Sequence, residues 1–230
     1  MLRLLALDFD GVIADSAPES FLVAARTFRE LRPGSRLEAQ LGGGRDDGAP
    51  ARAELSAQPL YAEFLELMPL GNRAEDYGVI LAALEAGARL PDQAGYDAWR
   101  DTLDREWLRG FHKSFYRVRA ALAAADPAGW NALMQPYPGL PELLRSRAAE
   151  VLLAIATAKD RRSVASLLQS YGLGDLFPEG RVLDKETGVG KAEHLAHLHA
   201  RFGVPYREID RKSTRLNSSH EVPSRMPSSA

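Results

Sequence analysis

The sequence predicts an α/β fold, a doubly wound, Rossmann-like parallel sheet that is interrupted by a helical insertion. Two short apolar runs, at residues 2–7 and 151–156, are typical of strands buried on both faces of a parallel sheet. Helical patterns at residues 160–171 and 190–202 follow the second run, and a short third strand is predicted at residues 181–183 between them. Strands and helices that alternate in this order are typical of a doubly wound sheet.

The insertion separates the first predicted strand from the rest of the sheet. Residues 17–31 carry apolar side chains at helical spacing. Further helical patterns lie at residues 52–67, 74–87, 93–108 and 111–125. We therefore predict a core formed by residues 1–15 and 138–209, and a helical cap formed by residues 16–137.

Composition and charge exclude several classes of protein. The 230 residues are 45% hydrophobic, which is enough for a sizeable core. The net charge is −2, so the chain lacks the basic excess of a nucleic-acid-binding protein. It contains no cysteine, which excludes disulfides and zinc–thiolate sites. No run reaches the roughly 20 apolar residues that span a bilayer, and the N-terminal run is too short for a signal peptide. We expect a cytoplasmic protein without nucleic-acid or membrane partners.

Two aspartates directly follow the first predicted strand. Asp8 and Asp10 are two residues apart, so their side chains point to one side of an extended segment. Ligands of open α/β sheets bind at this carboxyl edge. Neighbouring carboxylates repel each other unless a cation or a shared proton lies between them, and oxygen ligands suit Mg²⁺. One carboxylate could attack phosphorus while the other transfers protons. Gly11 permits a sharp turn after the strand.

The segment that begins at Asp8, Asp-Phe-Asp-Gly-Val-Ile-Ala-Asp-Ser, resembles the first signature of the haloacid dehalogenase superfamily. This resemblance implies that Asp8 is the nucleophile and Asp10 the general acid/base. It also implies that both contact Mg²⁺, Asp10 through its backbone carbonyl, and that Gly11 contacts the substrate. The alternative is an ordinary acidic turn at a strand end. The insertion resembles the cap of the phosphoglycolate phosphatase-like subgroup, which implies that it closes over the site and selects the substrate.

Further positions match the superfamily pattern in order. Thr157 ends the second predicted strand and corresponds to the Ser/Thr that hydrogen-bonds the phosphoryl group. Lys191, after Gly190, is our choice for the lysine that stabilises the phosphoryl oxygens, and Lys185 is the alternative. Lys159 resembles an auxiliary phosphate contact of some members. Each lysine could instead be an ordinary surface residue.

The resemblance implies Mg²⁺-dependent hydrolysis of a small phosphomonoester through an aspartyl phosphate. Arg45, Arg117 and Arg119 of the predicted cap are candidates for substrate contacts because arginine pairs well with anionic groups, although a solvated helix face is the simpler interpretation of each. Dehalogenases generally lack the second aspartate, so Asp10 argues against that activity. A phosphomutase, which uses the same aspartate pair, stays an alternative. So does a non-catalytic protein that keeps the fold.

The C-terminal segment, residues 210–230, has no hydrophobic periodicity and is rich in Ser and Arg. Residues 210–220 and 224–230 resemble, in order and in one frame, the translation of a common short-read sequencing adapter. We hypothesise that adapter read-through truncated the gene and that this tail is artefactual and disordered. The fourth superfamily signature, an apolar strand followed by Gly-Asp and a further Asp, should begin near residue 210. We therefore expect the last core strands and the remaining acidic metal ligands to be missing, and the printed chain to be poorly folded or nearly inactive.

Overall fold

A computed structural model describes residues 2–40, 49–71, 73–184, 186–188 and 190–212. For Lys191 only the backbone is described. Two of the predicted site residues, Lys185 and Arg45, lie outside the described residues, and so do residues 213–230 of the predicted tail.

The centre of the fold is a parallel sheet of four described strands in the order β5-β4-β1-β6. With all strands numbered in chain order, these four are β1 (Leu4–Leu7), β4 (Leu152–Ala156), β5 (Val182–Leu183) and β6 (Ile209–Lys212). Every neighbouring pair is parallel. The chain passes outward from β1 to β4 and β5, and then returns to place β6 on the other side of β1. This reversal beside β1 is the arrangement of a doubly wound sheet, and it confirms the predicted fold class.

Side chains of β1 alternate between two cores. On one face, Leu4 and Ala6 pack with Leu198, which lies on helix α10 (Lys191–Phe202). On the other face, Leu7 belongs to a larger core that continues into the helical insertion. Because helices cover both faces, the strand reads in the sequence as an almost continuous apolar run.

The helices that flank the sheet begin and end close to their predicted ranges. They are α8 (Leu140–Arg147), α9 (Arg161–Ser170) and α10. Asp160 caps α9, since its side chain accepts a hydrogen bond of 2.9 Å from the N–H of Ser163. Gly203, with φ of 62°, ends α10 in the left-handed conformation that glycine adopts readily.

The insertion consists, in the described part of the chain, of seven α-helices and a short 3-10 helix (Met68–Leu70) between the short strands β2 (Ala14–Asp15) and β3 (Gln135–Pro136). The α-helices are α1 (Ala17–Leu31), α2 (Arg52–Ser56), α3 (Pro59–Leu67), α4 (Ala74–Ala86), α5 (Gln93–Thr102), α6 (Arg105–Ala125) and α7 (Pro127–Leu133). A row of aromatic rings joins α1, α3, α4 and α6: Phe21, Phe64, Tyr77 and Phe115 have successive centroid distances of 5.3, 5.6 and 5.5 Å. None of the helices described is long and apolar enough to cross a bilayer.

Two helix boundaries in the insertion differ from the sequence-based ranges. The pattern at 52–67 forms two helices, because Pro59 occupies the first position of α3 and cannot continue a preceding helix. The pattern at 93–108 is also divided, since the Asp104 side chain accepts a hydrogen bond of 2.9 Å from the N–H of Glu106 and so caps α6. Local capping chemistry therefore overrides a continuous apolar period.

The two chain segments that connect the insertion to the sheet lie side by side. They form the antiparallel pair β2–β3. Arg52 of α2 binds both of them: its Nη1 donates to the carbonyl of Asp15 at 3.2 Å and to the carbonyl of Leu133 at 2.7 Å. Its Nη2 pairs with the Asp15 carboxylate. One side chain thus holds both connections together.

Strand β6 includes residues 210–212, which we assigned to the tail. Its pairing with β1 uses main-chain groups: the N–H of Asp8 donates to the carbonyl of Lys212, and the N–H of Arg3 to that of Glu208, both at 3.0 Å. Such bonds do not require apolar side chains, and the side of β1 away from β4 offers a row of donors and acceptors. A strand therefore forms here despite the polar sequence.

Candidate active site

Asp8 and Asp10 lie at the carboxyl edge of the sheet, directly after β1. The chain turns sharply there, and the N–H of Ala14 donates to the carbonyl of Phe9 at 3.0 Å. Gly11 has φ of 74°, a conformation that residues with a side chain rarely adopt. The turn brings the chain back to β2 and leaves Asp8, Asp10 and Gly11 in the wall of one cavity.

This cavity lies between the sheet edge and the insertion and has a volume of about 1370 Å³. That volume exceeds the roughly 300–1,000 Å³ of common small-molecule sites. The core lines it with Asp8, Asp10, Thr157, Lys159, Asp160, His194 and Arg211, and the insertion with Glu75, Tyr77, His112, Phe115, Tyr116, Arg119 and Trp130 among others. Both parts of the fold therefore contribute to the site.

Lys159 is the principal charged partner of Asp10. Its Nζ lies 3.1 Å from one carboxylate oxygen of Asp10 and 3.4 Å from the other. The lysine is only 6% exposed, and its Nζ lies 5.7 Å from the ring centroid of Trp130. Burial alone would raise the pKa of Asp10, but the positive charges of Lys159 and Arg119 outweigh it and lower this pKa below its ordinary value. Asp10 is therefore a carboxylate in this arrangement.

Thr157 immediately follows β4, the strand next to β1. It is buried and lines the cavity. Its Oγ1 accepts a hydrogen bond of 3.1 Å from the N–H of Lys159, which fixes the loop that carries the lysine. Parallel strands place their carboxyl ends at the same edge, so Thr157 and Lys159 share the cavity with the two aspartates, although they are far apart in the sequence.

On the other side of β1, Asp8 faces a basic residue. The Nη2 of Arg211 in β6 lies 3.5 Å from Oδ2 of Asp8. The Nε of Arg211 is buried and has no hydrogen-bond partner among the described residues. Sequence reasoning missed this contact because it placed residue 211 in the tail.

The remaining predicted site residues lie at different distances from the cavity. Lys191 begins α10, directly after Gly190, which lines the cavity. Arg117 pairs with Glu30 at the surface, where its side chain is 60% exposed. Arg119 lies two residues further along α6 and lines the cavity.

Arg119 is held by Glu19 of α1, a residue that sequence reasoning did not single out. The Nε and Nη2 of Arg119 donate to the two carboxylate oxygens of Glu19 at 2.7 and 2.9 Å. Glu19 is completely buried, and Arg119 is largely so. The signal that could have revealed Glu19 is a carboxylate among the apolar side chains of a helix, because such a group is rarely buried without a partner.

The two aspartates suit Mg²⁺ in donor type, since this ion prefers oxygen ligands and is often bound by one or two carboxylates together with substrate phosphate and water. No group of three or more His, Cys, Asp or Glu residues that could hold a metal ion exists in the described ranges. Asp8 and Asp10 fit the ion in donor type, while the positive charges of Arg211 beside Asp8 and of Lys159 beside Asp10 oppose its binding.

Comparison with solved structures supports the fold assignment. A predicted phosphoglycolate phosphatase from Haemophilus somnus 129PT has a TM-score of 0.55 and 18% identity, with 91% of this chain and 76% of that chain covered. A haloacid dehalogenase-like family hydrolase from Streptococcus pneumoniae has a TM-score of 0.52 and 12% identity, with 94% and 77% covered. A protein from Lactobacillus delbrueckii subsp. bulgaricus, provisionally named phosphoglycolate phosphatase, has a TM-score of 0.58 and 15% identity, with 91% and 76% covered. At these identities the likeness concerns the fold.

Sequence comparison gives the family. Among curated proteins, no sequence matches the chain significantly. The family model of the haloacid dehalogenase-like hydrolases matches residues 2–209, which is most of the chain and includes both aspartates and the ends of β4 and β5. The protein thus belongs to the haloacid dehalogenase-like hydrolase family.

Proposed function

We propose that this protein hydrolyses a small phosphomonoester in the presence of Mg²⁺, through a phosphorylated Asp8. The observation that carries the proposal is the grouping of Asp8, Asp10, Thr157 and Lys159 at the carboxyl edge of β1 and β4, inside one cavity. Family membership supports hydrolase chemistry.

In the proposed reaction, a carboxylate oxygen of Asp8 attacks phosphorus and the bond from phosphorus to the leaving oxygen breaks. Asp10 donates a proton to that oxygen, so the product leaves as an alcohol. Asp10 then accepts a proton from water, whose oxygen attacks the phosphorus bound to Asp8. This second step releases inorganic phosphate and restores both side chains.

The low pKa of Asp10 belongs to the protein without substrate, where two cations act on this carboxylate. A bound phosphoryl dianion would offset these cations, because a nearby negative charge favours the protonated form of a carboxyl group. We infer that substrate binding prepares Asp10 as an acid.

The phosphoryl oxygens are expected to contact the Thr157 hydroxyl, the Lys159 ammonium and the main chain near Gly11. Lys191 at the start of α10 is proposed as the second ammonium, with Lys185 as its alternative. Asp8 and Asp10 would hold Mg²⁺, which supplies positive charge to the transferring group. The leaving group is proposed to be part of a small phosphorylated metabolite.

The test is phosphate release from a panel of phosphomonoesters, with and without Mg²⁺, by the wild type and by Asp8→Asn. We expect the substitution to reduce release by at least about 10⁴-fold, because it removes the nucleophile. Acid-quenched wild-type protein should carry phosphate on Asp8 by peptide mass spectrometry. Phosphate release by Asp8→Asn at the wild-type rate would refute the proposal. Isomerised product without net phosphate release would identify a phosphomutase instead.

A further inference from the structure

We propose that Arg119 selects phosphomonoesters whose leaving part carries a second anionic group, and that Glu19 is the positioning residue that holds Arg119 for this role. The inference rests on the proposed function, since it concerns the same cavity. Three features of the Arg119 guanidinium support it: the hydrogen bonds that hold it, the edge that it presents to the cavity, and its position relative to Asp10.

The guanidinium of Arg119 has a fixed plane. Two parallel hydrogen bonds, of 2.7 and 2.9 Å, join its Nε and Nη2 to the carboxylate of Glu19. A bidentate pair of this kind sets orientation as well as position. Within the described chain, these are the hydrogen bonds that the Arg119 side chain makes, so both N–H groups of Nη1 and one of Nη2 stay available for a ligand.

The partner of Arg119 lies behind it, away from the cavity. Glu19 is completely buried and does not line the cavity, whereas Arg119 lines it and keeps 23% of its side chain exposed. Two carboxylates of the cavity wall have partners of their own: Asp10 pairs with Lys159, and Glu75 hydrogen-bonds His112 at 2.8 Å. The outer edge of Arg119 therefore presents positive charge to the cavity.

Arg119 lies on the side of the site where the leaving group is expected. Arg119 and Asp10 line the same cavity, and their opposite charges attract each other. In the proposed reaction Asp10 protonates the leaving oxygen, so a cation of the insertion near Asp10 is also close to the substrate atoms bonded to this oxygen. Ala120 and Ala123 of the same helix also line the cavity and leave space there. A carboxylate or a second phosphoryl group on the leaving part would fit this position.

The experiment measures binding of three phosphonates by calorimetry, with the full chain and Mg²⁺. Ethylphosphonate has one anionic group, phosphonoacetate adds a carboxylate, and methylenediphosphonate adds a second phosphoryl group. We expect at least one of the two larger probes to bind at least about 30-fold more tightly than ethylphosphonate, because it pairs with a largely buried guanidinium. The probe with the higher affinity identifies which anionic group the site prefers.

Substitutions of Glu19 and Arg119 test whether this pair causes the preference for a second anionic group. Arg119→Met alone leaves the Glu19 carboxylate buried without a partner and is at risk of unfolding. The double variant Glu19→Gln/Arg119→Met removes both charges and should lose the preference, measured as the ratio of its affinities for the larger probes and for ethylphosphonate. Glu19→Gln alone should reduce the preference for the larger probes even though the guanidinium of Arg119 is still present. If Glu19 only stabilised the fold, this preference would not change.

Arg117→Met is the matched control, because it removes a guanidinium from the same helix at an exposed ion pair. It should keep the wild-type preference. Equal binding of all three probes by the wild type, or an unchanged preference in the double variant, would overturn the inference and leave the proposed function intact. Failure of every probe and of inorganic phosphate to bind would contradict the proposed function and the inference with it.

Discussion

The two sides of β1 provide different surroundings for the two aspartates. On the β4 side, Asp10 has two contacts with a buried lysine, at 3.1 and 3.4 Å, and Thr157 fixes the loop that carries this lysine. On the β6 side, the Nη2 of Arg211 lies 3.5 Å from the Asp8 carboxylate, and its Nε is buried without a partner among the described residues. A buried polar group without a hydrogen bond costs about 1–3 kcal/mol.

This difference shows that main-chain hydrogen bonds are enough to form a strand, whereas the chemistry of the site depends on the side chains that the strand carries. Residues 209–212 complete the sheet because their main chain pairs with β1. Their side chains bring the positive charge of Arg211 within 3.5 Å of Asp8. We therefore propose that the protein folds around a site whose β4 side is suited to catalysis and whose β6 side impairs it.

The largest effect is expected on the β4 side, from Lys159→Met. Loss of this ammonium removes positive charge from the phosphoryl group and from Asp10, and should lower kcat/KM about 100-fold. Steady-state phosphate release measures the change. Lys113→Met, at an exposed position of α6, is the control and should have no effect. Unchanged kcat/KM in Lys159→Met would show that the β4 side does not form the catalytic half.

A smaller effect is expected on the β6 side, from Arg211→Ala. Removing this charge beside Asp8 should raise the affinity for Mn²⁺ about tenfold, since a unit charge a few Å away competes directly with the ion. Electron paramagnetic resonance of free Mn²⁺ gives the affinity without reference to turnover. Lys212→Ala, which removes an exposed lysine paired with Asp210, should not change it. Equal Mn²⁺ affinities of Arg211→Ala and the wild type would show that the β6 side does not impair the site.

The smallest effect concerns Asp184, which follows β5 next to the β4 side. Burial would raise the pKa of Asp184, but hydrogen bonds from Thr187 and the charge of Arg161 outweigh it and lower this pKa. A carboxyl group with a lowered pKa in the folded state stabilises the fold above its unfolded pKa, about 3.9, and loses this contribution as the pH falls through the folded value.

Asp184→Asn should therefore reduce the free energy of unfolding by about 1 kcal/mol near neutral pH and by less under acidic conditions. Urea denaturation of the variant and the wild type, near neutral pH and again under acidic conditions, measures the difference in the free energy of unfolding. Asp175→Asn, which changes an exposed ion pair with Arg145, is the matched control and should show little change at either pH. An equal loss in Asp184→Asn at both pH values would contradict the assigned linkage.

Most of the fold could be predicted from the sequence because it follows local rules. The range 17–31 of α1 and the strand β5 (Val182–Leu183), predicted at 181–183, are examples, since apolar spacing and turn residues define them. On the β4 side, the resemblance to the superfamily pointed to Thr157 and Lys159, and parallel strands bring both to the edge where Asp8 and Asp10 lie, while their roles stay predictions.

The ion pair of Glu19 with Arg119 could not be predicted in the same way. Its partners are 100 residues apart, and their contact depends on how α1 packs against α6. Arg211 was missed for another reason: its residue type gives no strand signal, and only the pairing of the main chain with β1 places it beside Asp8.

The side chain of Arg52 has a mechanical consequence. A body that is joined to another at two distant points is restrained in rotation, whereas one joined at a single place can turn about that place. Because Arg52 binds the carbonyls of both Asp15 and Leu133, the two connections of the insertion would act as one pivot if the insertion turned against the sheet. Rotation about this pivot would carry Arg119 along an arc centred near β2, and would change its distance from Asp10 while its bond to Glu19 within the insertion stays intact.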